Sequence, residues 1–244
     1  MAKYKPSIDL GHIGEIHALD RALQERGEEN GIHPHIVELI SRLTSGGVAG
    51  KSDDLRHIQA KRLWDRGFGR ELEFDSFDTY LATIPEIPAR LLEDDPELPL
   101  LSLADPRLGL IKACELIGIK HEEFSYTEGD AVPWDERHKD LVKPFWLRHN
   151  DGRTNRNRRP DHCRDECTGD ILAGTALVGI MAYLHHPEII VEDEHVIDLP
   201  GSVHRDGRVH CAYLGVWGGR VELDVCRGSD IAYPDCGSLR LRWK

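Results

Sequence analysis

The sequence predicts an α+β fold, with a mixed α/β arrangement as the alternative: a helical N-terminal segment, then a mixed sheet with helices and a C-terminal antiparallel hairpin. Three observations carry this prediction. Apolar residues recur at helical spacing up to about Asp75. Beyond residue 98, short apolar runs alternate with helical stretches. Gly218-Gly219 then separates two alternating runs, 209–217 and 220–226. A two-residue Gly-Gly link marks a β-hairpin, because a type I′ turn needs positive φ at both central positions. Counting outward from the turn sets Trp217 against Arg220, Val216 against Val221, Leu214 against Leu223 and Ala212 against Val225. The last three pairs form an apolar face that must be core. The other face carries Trp217/Arg220, Gly215/Glu222, Tyr213/Asp224 and, at the open end, Cys211/Cys226.

The elements follow in order. Ile13, Ile16, Leu19 and Leu23 form one helical stripe, ended by Gly27. Pro34 opens a second helix with Ile36, Val37, Ile40 and Leu43 on its apolar side. Residues 45–52 break the pattern, and a third helix is expected from Asp53 to Arg66, ended by Gly67 and Gly69. Pro85, Pro88, Pro96, Pro99 and Pro106 then mark a linker or wrapping segment. That segment sets the expected boundary between a helical region, 1–83, and an α+β domain, 84–244. A buried strand is expected at 98–104. Asp105 caps the next helix and Pro106 opens it; it runs through Leu110, Ile111, Cys114 and Ile117 to Gly118.

Residues 120–143 are polar and irregular. A strand at 144–149 precedes an Asn150-Asp151-Gly152 turn and a basic loop, and a helical stretch starts at Pro160. The uncharged run 171–184 reads as a buried helix, stopped by Pro187; 188–199 is strand-like but charged. Leu239, Leu241 and Trp243 alternate with basic residues as a final strand. If the strands at 98–104 and 144–149 are neighbours, their connection is long enough for a parallel crossover.

With 244 residues the chain fills one large domain or two small ones. Its 40% hydrophobic and 30% charged content is ordinary for a soluble globular protein. A net charge of −12 argues against general nucleic-acid binding or adhesion to an anionic membrane. The run 171–184 is shorter than the ~18–20 residues that cross a bilayer. The N-terminus lacks the apolar stretch of a secretory signal, and the six cysteines then point to free thiols in a reducing, cytoplasmic location.

Four constellations are candidates for chemistry. The first is at the strand ends. Asp105 ends one expected strand, and His149 and Asp151 end the other; parallel neighbours would put them on one rim, with His149 as general base oriented by Asp105 or Asp151. A helix cap and a turn explain the same residues without catalysis, and this reading is preferred. The second is an anion site. Arg153, Arg156, Arg158 and Arg159 precede a helix N-terminus, an arrangement suited to a phosphate- or carboxylate-bearing small molecule. Pairing with Asp161, Asp165 and Glu166 in a solvated loop is the preferred alternative.

The third is zinc. Cys163 and Cys167 lie one helical turn apart, and with Cys211 and Cys226 they would make four thiolates; His162, His210 and Cys236 are spare ligands. No tight Cys-x-x-Cys knuckle is present, so no cofactor is the leading expectation. Cys211 and Cys226 would lie ~5.5 Å apart, a separation a disulfide accepts, although a reducing compartment favours thiols. The fourth is the crowding of His185, His186, His195, His204 and His210, which matches no metalloenzyme spacing. One apparent motif is a decoy: in the glycine-rich run 45–52, Ser45 occupies the position of an obligatory P-loop glycine and a helix precedes it, so an inter-helix loop is expected.

The runs PFWLRHNDGRTN, TALVGIMAYLHHPEII, DLPGS, YLGVW, ELD and CGS resemble uncharacterised bacterial proteins of unknown function, from Leu98 to the C-terminus. The resemblance implies a bacterial cytoplasmic origin and an intact C-terminal domain, and it supplies no catalytic residues. The favoured function is a binding or interaction protein whose face of Tyr213, Trp217, Arg220, Glu222 and Asp224 contacts a partner or the protein's own helices, the partner being a protein or a small anionic ligand. The rivals are an enzyme acting on an anionic small molecule and a zinc-stabilised domain.

Overall fold

Val48–Asp65 forms the first helix (α1) of a computed structural model that describes residues 48–121, 131–133, 141–204 and 210–243. The two helical stripes expected before residue 44 lie outside the described residues. The helix expected from Asp53 starts earlier, so Val48–Ser52 of the glycine-rich run is helical rather than loop. Gly67, with φ 97°, stops the helix and leads into a short helix Phe68–Glu71 (α2). Ser76 caps Phe77–Leu81 (α3), accepting from the Thr79 amide while Thr79 returns a bond to the Ser76 amide.

Leu100–Ala104 is strand β1. The cap at Asp105 forms as expected, through a 3₁₀ turn at Pro106–Leu108 that runs into Gly109–Ile117 (α4), ended by Gly118. Lys120–His121 (β2), Ala131–Pro133 (β3) and Phe145–His149 (β4) follow, then Pro160–Asp165 (α5). The run expected as one helix from Ile171 divides. Ile171–Ala173 is strand β5, and Thr175 caps a helix at Ala176–His185 (α6), where its hydroxyl accepts from the Val178 amide. β-Branched and apolar residues at 171–173 suit a buried strand as well as a helix, and apolarity alone does not separate the two. The charged run 188–199 is likewise composite: a 3₁₀ turn at Pro187–Ile189, a bridge between Val191 and His195, and then Val196–His204 (β6). His210–Trp217 (β7), Arg220–Gly228 (β8), Cys236–Ser238 (β9) and Arg240–Arg242 (β10) complete the order.

The strands form two sheets. One has the order β1-β4-β10-β5, the other β2-β8-β7-β6-β3 with β9 beside β6. α6 packs on β1, β6 and β7 and so bridges both sheets. Its buried surface centres on Ile180, Met181 and Ala182, all fully enclosed.

Contacts divide the chain into two units, Met1–Asp54 and Leu55–Lys244. The proline-rich stretch lies within the second unit. Prolines lack the N–H a ladder needs, so side chains bind the carbonyls of this stretch. Arg56 donates to Leu81 O (2.9 Å) and Ile84 O (2.7 Å). Trp146 Nε1 donates to Pro85 O (2.8 Å). Arg148, itself buried, donates to Leu91 O (2.7 Å), Leu98 O and Pro99 O (both 3.2 Å). These bonds turn Ile84, Ile87, Leu91 and Leu98 into the core.

The hairpin forms at Gly218 (φ 58°) and Gly219 (φ 72°), with five of the seven expected pairs, from Trp217/Arg220 to Tyr213/Asp224. Ala212, Leu214, Leu223 and Val225 are buried as the core face, with Val216 and Val221 half-buried at the turn end. Register then shifts between Tyr213 and Cys211, and Cys211 faces Arg227 rather than Cys226. A bulge adds one residue to β8, so counting from the turn is valid only as far as the ladder is unbroken.

A close approach joins the loop after β4 to β9. A Cβ on Gly237 would lie 2.1 Å from Gly152 O, in a backbone contact that cannot give way cheaply. Gly218 has open space around it. Gly237→Ala is expected to lose more than about 3 kcal/mol of unfolding free energy or to fail to fold, and Gly218→Ala to lose about 1 kcal/mol from its positive φ alone. Urea unfolding of the two variants checks this, and equal losses would contradict the contact.

Candidate functional site

The expected rim does not form. β1 and β4 are antiparallel, with Leu100 opposite His149 and Ala104 opposite Phe145. Asp105 and His149 therefore lie at opposite ends of the pair, roughly 16 Å apart along the strands at about 3.3 Å per residue. Asp105 is buried and internally bound. It accepts from Tyr80 Oη (2.9 Å), from Arg107 Nε (2.8 Å) and Nη2 (2.6 Å), and from the Arg107 amide. Arg107 in turn lies over the rings of Phe74 and Tyr80, 5.4 Å from each centroid. Burial and the adjacent carboxylate push the Tyr80 phenol well above its ordinary value, so it stays protonated as a donor.

His149 closes a different cluster. Its Nδ1 donates to Asn150 O (2.8 Å), which leaves Nε2 as an acceptor for the Ser102 hydroxyl (2.8 Å). That tautomer is the one a serine–histidine pair needs, yet both side chains are fully enclosed. Burial, then the neighbouring His186 at 5.5 Å between ring centroids, lowers His149 to about 3 and keeps it neutral. His185 Nε2 and His186 Nε2 donate to Leu103 O (2.9 Å) and Leu101 O (3.0 Å) on the outer edge of β1. Gln59 completes that edge, donating to Leu101 O (2.9 Å) and accepting from the Leu103 amide (2.6 Å).

The loop after β4 is stitched to the C-terminal strands by two asparagines. Asn155 accepts from the Ser238 amide (2.7 Å) and donates to Ser238 O (3.0 Å). Asn150 accepts from the Arg240 amide (2.8 Å). Within the loop, Asp151 pairs with Arg153, which also reaches Glu188 O (3.0 Å). His195 Nε2 donates to Asp151 O (2.7 Å), and its Nδ1 accepts from Arg156 Nε (3.0 Å). Arg158 pairs with Glu166 and Arg159 with Asp161. All four arginines of the expected anion site thus bind protein acceptors. His149, Asp151, Arg153 and Arg156 do come together, joined by Ser102, His186 and His195, whereas Arg158 and Arg159 turn toward α5.

Of the four expected zinc ligands, Cys211 and Cys226 are not a cross-strand pair, because Cys211 stands opposite Arg227. Cys163, on α5, is buried near Ser238 and Asp198, and burial raises its thiol above the ordinary value. Cys167 donates to Cys163 O (3.2 Å) and is raised mainly by burial, which the Arg240 guanidinium partly offsets. Cys211 carries a thiol on β7, and the bulge has moved Cys226 out of the position opposite it. Among the described residues, no group of three or more histidine, cysteine or acidic side chains is arranged to hold a metal ion.

Gln59, Ser102, Asn155 and the edge-facing roles of His185 and His186 are absent from the sequence-based site. The crowded histidines were visible as a cluster, but their acceptors lie on a strand 82 to 85 residues earlier. No protein-family model, curated protein or solved structure matches the chain. Asn155→Ala removes both bonds to Ser238 and leaves its buried amide unsatisfied, an expected loss of about 2–4 kcal/mol. Urea unfolding measures it, and a loss below about 0.5 kcal/mol would show that the stitch contributes nothing.

Proposed function

We propose that this protein is a binding protein that docks a protein partner on the outer face of the hairpin β7–β8. The observation that carries the reading is Trp217, 39% exposed at the hairpin tip. Its ring lies against Gly215, where a Cβ would meet it at 2.5 Å, and stands edge-on to Tyr213 at 5.7 Å. Tyr213 donates to Asp224 (3.1 Å) across the strands, and Glu222 pairs with Lys120. Glu192 accepts from the Gly219 amide (3.0 Å) and ties down the turn. A large aromatic is thereby held in one orientation beside Arg220, in the pairing of residue types that anchors interfaces. Holding the anchor rigid reduces the ordering cost of association.

The enzyme reading on an anionic small molecule has less support. Its acid–base residues lie at opposite strand ends or are enclosed, and its arginines bind internal acceptors.

The test is affinity capture on immobilised protein with quantitative comparison of variants. Trp217→Ala and Arg220→Ala are expected to weaken retention of a specific partner by about 30-fold or more each, with thermal unfolding unchanged and with Val142→Asp, at another exposed apolar site, as a neutral control. A partner set indifferent to Trp217→Ala, or no partner captured by any form, would contradict the reading.

A further inference from the structure

We propose that His149 and His185 form an acid-released latch over the outer edge of β1. The edge belongs to the end strand of its sheet, and Leu101 and Leu103 direct peptide groups away from β4. Four side-chain bonds close it: two from Gln59 on α1, one from His185 at the end of α6, and one from His186 just beyond. His149 sits on the neighbouring strand, bonded to Ser102 of β1 and edge-on to His186. Three imidazoles thus converge on one five-residue strand.

The charged and titratable groups around them are few. His149 faces His186, Asp151 and Glu188. His185 faces His186, His149 and the Arg62 guanidinium, which donates to His185 O (2.8 Å). His186 Nδ1 lies 3.5 Å from Glu188 Oε1. The Arg62 guanidinium and two imidazoles therefore face His185, and its buried Nδ1 has no hydrogen-bond partner among the described residues. A proton arriving there would have nothing to bond.

The closed latch accordingly excludes protons. Burial holds His149 at about 3 and His185 well below the ordinary value. Once the edge opens, each ring regains a value near 6.5. Because the closed-state values are the lower ones, the open form binds more protons as pH falls below about 6.5. The latch is at full strength above that pH and weakens in acid. Between pH 7 and pH 5 the open population is expected to rise about 25-fold from His149 alone, and further from His185, whose shift has the same direction. His185 ends α6 and Pro187 follows, so the last turn can withdraw from β1 without unthreading the hairpin.

The experiment is hydrogen exchange on the full chain at pH 7, 6 and 5, with each amide corrected for its intrinsic rate. The Leu103 amide, which donates to Gln59, reports the edge, and amides of β7 and β8 serve as reference. The expected result is a loss of protection of about 25-fold or more at Leu103 with a much smaller loss in the hairpin. His149→Gln is expected to remove about 25-fold of that dependence, and His185→Gln, which keeps a donor for Leu103 O but cannot titrate, to weaken it in the same direction. Protection at Leu103 that is independent of pH, or that falls in parallel with the hairpin, would overturn the proposal. Should either variant fail to fold, the wild-type comparison of edge and hairpin decides alone.

Discussion

The outer edge of β1 ends the four-stranded sheet, and side chains rather than another strand finish it. A buried peptide group left without a partner costs about 1–3 kcal/mol, so an edge inside a core must be closed by something. Gln59 offers one acceptor and two donors in a plane, and its amide spans Leu101 O and Leu103 N as a neighbouring strand would. His185 and His186 add donors to the same two residues. These directional bonds fix α1 and α6 against the sheet. With α1 fixed, Arg56 reaches the carbonyls of the proline-rich segment and Arg62 reaches the end of α6. With α6 fixed, Gly179 lies where Leu199 of β6 packs directly against its backbone, which seats the hairpin sheet on the core.

Local chemistry was legible in the sequence wherever a few adjacent residues decide it. The Gly218-Gly219 turn, the Asp105 cap and the glycine after α1 need only their neighbours. Direction and distance were not legible. Nothing between residues 104 and 145 states that β1 and β4 run antiparallel, so the rim of Asp105, His149 and Asp151 rested on an assumption about topology. The bulge in β8 shows the same limit at shorter range: one added residue separates Cys211 from Cys226. The strand at 171–173 escaped because a buried strand and a buried helix look alike over a short apolar run.

The polar residues that drew attention in the sequence serve the interior. His149, His195, Asp105 and Asp151 all carry bonds between distant segments, and the loop arginines bind carboxylates and carbonyls. Such residues resemble catalytic sets because both require several polar groups at one place. Exposure separates the two: Ser102 and His149 are enclosed, while Trp217 is presented. The interior polar network holds the frame, and the hairpin face is the surface on which the proposed docking rests.

The most direct measurement is the unfolding free energy of Gln59→Met at neutral pH. Methionine keeps the length and apolar contact of Gln59 but removes both bonds to the β1 edge and leaves the Leu103 amide unsatisfied. A loss of about 2–4 kcal/mol is predicted. A change within about 0.5 kcal/mol of wild type would contradict the claim that side chains close this edge.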